Sequence, residues 1–243
     1  MEIDRNREDL SRFLVHLTRD YNNVVAEKNL ISILNDKTIF AKNALCLVMH
    51  KLEKMQFSKT LQKEFYTACF TETPLPQIKQ LTKEIKGRRI KLSPYGLVFW
   101  KDELFNKGAS PAIYINAKGT SVSKFLIDEF ESIFKGITTF RKLRDKEAHY
   151  KNVVHYYSLI NVVKDKHDFM WEREWRHHGD FEFKYVNVVA IIAPKPERFR
   201  KLCREACTRR LQRYLDRIPF ISPDWSYEEL IEELAIKTWD QQR

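Results

Sequence analysis

The stretch FMWEREWRH, Phe169 to His177, sets Glu172 and Glu174 between Trp171 and Trp175, with Arg173 and Arg176 beside them. On an extended strand, carboxylates two positions apart share one face, about 6 to 7 Å apart along the chain. Trp171, Arg173 and Trp175 are then expected on the opposite face. A pair held in this way suits a division of labour. One carboxylate stabilises positive charge as it develops, and the other orients an acceptor or removes its proton. The plain alternative is a strand face of Glu and Arg forming surface ion pairs, each worth under about 1 kcal/mol. A third reading adds Asp180, because Glu172, Glu174 and Asp180 have the chemistry to hold Mg²⁺ for nucleolytic phosphoryl transfer.

Other ligand patterns are weak. Adjacent strand residues point to opposite faces, so His177 and His178 suit a turn before Gly179 better than one shared ion. Glu147, His149 and His155 show no ligand spacing, and Cys46, Cys69, Cys203 and Cys207 form no paired zinc pattern. Cys203 and Cys207, at i and i+4, suit one helix face, and all four read as reduced, mostly buried thiols.

The positioning elements are expected to alternate irregularly, which makes the chain α+β rather than a wound parallel sheet. FLVHLTR (13 to 19) reads as a first strand, with Phe13, Val15 and Leu17 inward and Leu14, His16 and Thr18 opposite. AEKNLISILND reads as a helix, KTIFAK as a short strand, NALCLVMHKLEKM as a helix, and EFYTACFTETPL as a strand stopped by Pro74. PLPQIKQLTKEIKG follows as a helix ending at Gly87. YGLVFW, opened by Tyr95, and PAIYINA read as strands, and Val122 to Arg144 as one long amphipathic helix. VVHYYSLINVV, WEREWRHHGDFEFKY turning at Gly179, and VNVVAIIAP make a strand-rich end, and SYEELIEELAIKTW closes the chain.

The 243 residues carry 43 Lys and Arg against 33 Asp and Glu, a net charge of +10 that attracts polyanions, with nucleic acid the commonest. The excess concentrates in Pro194 to Arg217, read as one helix with Phe199, Leu202, Ala206, Leu211 and Tyr214 inward. Arg200, Arg204, Arg209, Arg210 and Arg213 span nearly four of its turns, about 20 Å, and are candidate phosphate contacts against the alternative of a solvated face. No apolar run is long enough for a membrane span and the charged start is no secretory signal, so a cytoplasmic location is expected.

Taken in order, FLVHLTR, NLISIL, CFTETP, YGLVF and Lys164-x6-Trp171-Glu172-x-Glu174-Trp175-Arg176 resemble the AbiGi family of bacterial abortive-infection proteins, within the ADP-ribosyltransferase-like superfamily that includes the DarT toxins. The resemblance covers roughly Phe13 to Pro194. It implies an ADP-ribosyltransferase-like split mixed or antiparallel sheet with flanking helices over residues 1–194, and a helical extension packed on it over 195–243. It also implies antiviral defence or a toxin–antitoxin context, with NAD as donor and a nucleic acid or protein as acceptor. His16 and Thr18 would then contact the NAD ribose or amide, Thr71 support the site and Tyr95 face nicotinamide. Glu174 would stabilise the oxocarbenium charge and Glu172 serve the acceptor. A second arginine motif of the DarT type is missing, which leaves Arg19 as the phosphate-binding cation. The resemblance also embraces antitoxins, so a non-catalytic module binding nucleic acid or a partner toxin stands as the alternative.

Overall fold

The computed structural model describes residues 10–42, 44–84, 90–116, 121–144, 149–163 and 170–240. Gly87, Glu147, Lys164 and Phe169, singled out above, lie outside them. Along the chain the elements are β1 (Phe13–Leu17), α1 (Ala26–Asp36), β2 (Thr38–Ile39), α2 (Met49–Lys54), α3 (Lys59–Lys63), β3 (Thr67–Thr71), α4 (Ile78–Thr82), β4 (Gly96–Trp100), α5 (Lys101–Asn106), β5 (Ser110–Pro111), β6 (Ile113–Asn116), α6 (Ser121–Ile133), α7 (Phe140–Arg144), α8 (His149–Leu159), β7 (Ile160–Val163), β8 (Glu174–His178), β9 (Phe181–Glu182), β10 (Val188–Ile192), α9 (Pro196–Ala206), α10 (Arg209–Leu215), β11 (Phe220–Ile221) and α11 (Tyr227–Asp240). The chain is α+β, with a large mixed sheet and flanking helices. It divides into two compact units, neither continuous in sequence: Met1–Ile39, Phe70–Lys107 and Glu182–Arg243 form one, and Phe40–Cys69 with Gly108–Phe181 the other.

In the first unit the strands lie in the order β11-β10-β4-β1, with the Phe70–Thr71 end of β3 beside β1. β1 is antiparallel to β3 and β4, β10 is antiparallel to β4, and β10 and β11 are parallel. Both faces of β1 are covered: Leu14 and Val15 are almost fully buried, so the expected one-sided alternation gives way to the double burial of a central strand. On the Val15 face, Val98, Ala190, Ile192 and Ile221 pack with Leu75, Ile78 and Leu81 beneath and with Leu230 of α11. On the His16 face, Phe70 meets His16 edge-on at 5.8 Å and Phe99 at 6.2 Å, and Phe99 meets Phe183 at 5.3 Å. Gly96 is required where it pairs with Leu17, because a Cβ there would sit 2.4 Å from the His16 carbonyl oxygen.

α1 follows the expected AEKNLISILND. Ala26, Leu30, Ile31 and Leu34 form its buried stripe, and Lys37, at φ 52°, ends it with its N–H on Ile33 O. The N-cap residue Val25 offers no side-chain cap. Asp20 Oδ1 instead accepts the Ala26 N–H at 2.8 Å. The basic segment is two helices. α9 stops at Cys207, and Thr208 opens α10 by accepting the Leu211 N–H on its Oγ1.

The core of the second unit is aromatic. Phe57, Phe65, Phe130, Phe134 and Tyr157 pack from α3, α6, α8 and their flanks, with Val154 and Ile160. Two expectations fail here. The long helix from Val122 breaks into α6 and α7 around Gly136, whose φ of 78° suits glycine. VVHYYSLINVV is mostly helix: Val154, Tyr157 and Ser158 are buried while His155 and Tyr156 are exposed, a helical spacing that outweighs the β propensity of valine and tyrosine. Only β7 remains extended, parallel to β6 with Tyr114 beside Asn161. The helix expected over NALCLVMHKLEKM, whose Asn43 lies outside the described residues, is seen at Met49–Lys54, and the one expected after Pro74 is a 3₁₀ turn at Leu75–Gln77 followed by α4.

Candidate functional site

β8 projects Glu174, Arg176 and His178 on one face. Arg176 is 1% exposed, and its Nε and Nη2 each donate to a Glu174 oxygen at 3.0 Å, a two-pronged charge-assisted pair. The third arm, Nη1, donates to the Ser158 carbonyl of α8 at 2.8 Å. Glu174 Oε2 also accepts the Tyr114 hydroxyl at 3.0 Å and the Asn161 amide at 3.1 Å. The β6–β7 register places these two donors side by side.

Burial opposes ionisation of Glu174, yet the Arg176 charge and the bonds from Arg176, Cys69 and Tyr114 prevail and hold its carboxyl below the ordinary range. Burial, then the Glu174 charge, pushes the Tyr114 phenol up, so it stays a donor. The same two causes push the Cys69 thiol up to about 12, which leaves it a neutral thiol rather than a nucleophile. The centre is therefore a fixed anion locked to a buried guanidinium.

Glu172 and Glu174 are not paired along an extended strand as expected. Met170–Glu172 form a 3₁₀ turn, and Arg173 has a φ of 45°, so the two glutamates do not share an extended strand face. Trp175 is buried whereas Trp171 is 41% exposed. Glu172 still acts on Tyr114, whose phenol its charge helps to raise. Asp180 accepts the Ala41 N–H at 2.7 Å. Among the described residues no three His, Cys, Asp or Glu side chains gather to hold a metal.

The residues expected around NAD lie in the first unit and are largely engaged by the fold. Thr18 is buried, and its hydroxyl lies 3.2 Å from Ala26 O and 3.0 Å from Tyr95 O. Tyr95 donates to Glu27, which Arg198 also holds, and its ring packs edge-on against Phe199 at 5.3 Å. Thr71 is buried and donates to Thr73 Oγ1 at 2.9 Å. Because Thr71 pairs with Val15, it projects from the face opposite His16. Arg19 stacks on Tyr21 at 5.6 Å. Thr18, Thr71 and Tyr95 are thus each already engaged by neighbouring groups of the fold.

The arginine ladder is also rearranged. Arg200 is 7% exposed, donates to Leu215 O and lies 4.4 Å from the Phe220 ring, so it fastens α9 to its neighbours instead of facing solvent. Arg204 pairs with Asp216. Arg209, Arg210 and Arg213 are exposed on α10. Ala206, expected inward, is exposed, and Cys203 and Cys207 take the buried positions.

The reading from sequence assigned no role to Arg176, Tyr114 or Asn161. Glu174-x-Arg176 on a strand carried a usable signal, since period two puts both on one face. Tyr114 and Asn161 carried none without the strand register. No family model, curated protein or solved structure matches the chain. Its fold and centre define an α+β protein built around a buried carboxylate–guanidinium pair. No helix among the described residues is long and apolar enough to cross a membrane.

Proposed function

We propose that the chain is a non-catalytic nucleic-acid-binding module of a cytoplasmic phage-defence or toxin–antitoxin system, the context implied by the AbiGi resemblance. The exposed Arg209, Arg210 and Arg213 of α10 carry this reading. They stand out where Arg200 is drawn inward, on a chain of net charge +10. Arg209 and Arg213, one turn apart, share a helix face. Arg209→Glu with Arg213→Glu is expected to leave the fold intact, weaken binding of a short DNA duplex and lower the log–log salt slope by about 1 unit or more, read by fluorescence anisotropy. A wild type that binds neither a DNA duplex nor RNA at low salt removes nucleic acid as the partner and leaves a partner toxin for that face.

One observation favours a second reading, NAD-dependent ADP-ribosyl transfer to a nucleic acid or protein on an ADP-ribosyltransferase-like fold. Glu174 is held ionised with 15% of its side chain open, the state in which a carboxylate stabilises positive charge on a sugar as a leaving group departs. Labelled NAD tests it. Nicotinamide release by the wild type, reduced at least about 10²-fold in a Glu174→Gln chain shown by circular dichroism to be folded, supports transfer. Absence of both release and label transfer in cell extracts rules it out.

A further inference from the structure

The face of β8 that carries Glu174 and Arg176 ends in His178. Its ring stacks on His155 of α8, with centroids 3.7 Å apart and planes inclined by 37°. Nε2 of His178 bonds the Glu64 carbonyl oxygen, which places the imidazole proton on that nitrogen. Three residues beyond His155, the Ser158 carbonyl receives Arg176 Nη1. α8 is therefore fastened to β8 at two neighbouring points, one a stack of imidazoles and the other an anchor of the Glu174 partner.

We propose that His155 and His178 form an acid-released clamp, in which protonation of the stacked rings separates α8 from β8 and loosens the hold of Ser158 on Arg176. The surrounding charges favour release. His177 on β8 and Lys151 on α8 both disfavour an imidazolium at His155. The Glu64 carboxyl lies in reach of Lys151. Asp180, beyond the Gly179 turn, bonds the Ala41 N–H, and Tyr66 gives its carbonyl to the Gly179 N–H.

Burial, then His155, brings the His178 pKa down to about 4 from an ordinary 6.5. His155, though exposed overall, is lowered as well, first by the partial burial of its ring. The unfolded chain thus takes up protons first as pH falls, so stability declines from about pH 6.5 and the His178 contribution is fully lost below about pH 4. Glu64 works the other way: burial raises its pKa, and it adds some stability as pH falls. Glu174 contributes nothing in the window from pH 7 to 5, because its pKa lies below the ordinary 4.5.

The clamp is independent of what the chain binds, and its test reads no activity. Over pH 7 to 5, the Tm of the full chain is expected to fall by about 3 to 5 °C. By NMR, the His178 ring should remain neutral at pH 5, and exchange at the Arg176 Nε–H should speed up only as that ring takes up its proton near pH 4. His155→Phe keeps a ring in the stack without the second charge, and is expected to reduce the pH slope by the His155 share, leaving the part due to burial of His178, and to lessen the change at Arg176. A His178 ring that titrates near 6.5 in the wild type overturns the clamp whether or not the variant folds. An unchanged slope in a folded His155→Phe chain does the same.

Discussion

Arg176→Met is expected to destabilise the chain by about 3 to 5 kcal/mol, read as a lowered urea midpoint at pH 7 with an unchanged m-value. The side chain is almost fully buried, and all three of its nitrogens donate, two to Glu174 and one to Ser158 O. Methionine fills much of the volume but leaves the Glu174 carboxylate without its counter-charge, with Tyr114 and Asn161 still donating to it. Burial, the largest influence on that carboxyl, then prevails and raises its pKa. This reverses the acid response. In the wild type the depressed Glu174 pKa adds stability above about pH 4.5 that is lost as pH falls through the folded value. In the variant the carboxyl takes up a proton above that point, so the difference between the two chains narrows in acid. Arg176→Met with Glu174→Leu is expected to recover most of the loss, since exchanging a whole buried pair for apolar groups is often neutral. A single variant within about 0.5 kcal/mol of wild type would mean that solvent reaches the pair and screens it.

How much of this was legible beforehand differs from element to element. α1 and β4 followed their apolar spacing because local pattern and tertiary burial agree there. In α8 they conflict. Its valines and tyrosines favour a strand, and the helix is selected by packing of Val154 and Tyr157 against Phe130 and its neighbours. The break after α9 turns on a single capping threonine inside a basic run that would otherwise continue. Glu172 was misplaced because the strand reading had no means of anticipating a non-glycine residue at φ 45° just before β8. Glu174 and Arg176 were visible as neighbours in sequence. Their donors Tyr114 and Asn161 arrive on two parallel strands whose pairing depends on the whole second unit, and parallel register leaves little local trace.

Lys101→Met is the other change expected to have a large effect. Lys101 begins α5 at 4% exposure, its Nζ 2.7 Å from Glu72 Oε1, and Glu72 is 9% exposed. The TETP segment at the end of β3 orients this acid. Thr71 and Thr73 bond each other through their hydroxyls, and Glu72, between them, faces the other way. The Lys101 N–H meanwhile donates to Arg12 O at 2.9 Å, so the backbone on both sides of the ion pair is already fixed. Buried at 9% exposure, Glu72 has little freedom to reach water once the ammonium is gone. The single change should therefore destabilise by about 3 to 5 kcal/mol, whereas Lys101→Met with Glu72→Leu should come within about 2 kcal/mol of wild type. The four chains form a double-mutant cycle measured by urea unfolding. A coupling energy below about 0.5 kcal/mol would show that the two charges do not act as a unit, and the pair would lose its place as the polar pin between β3 and α5.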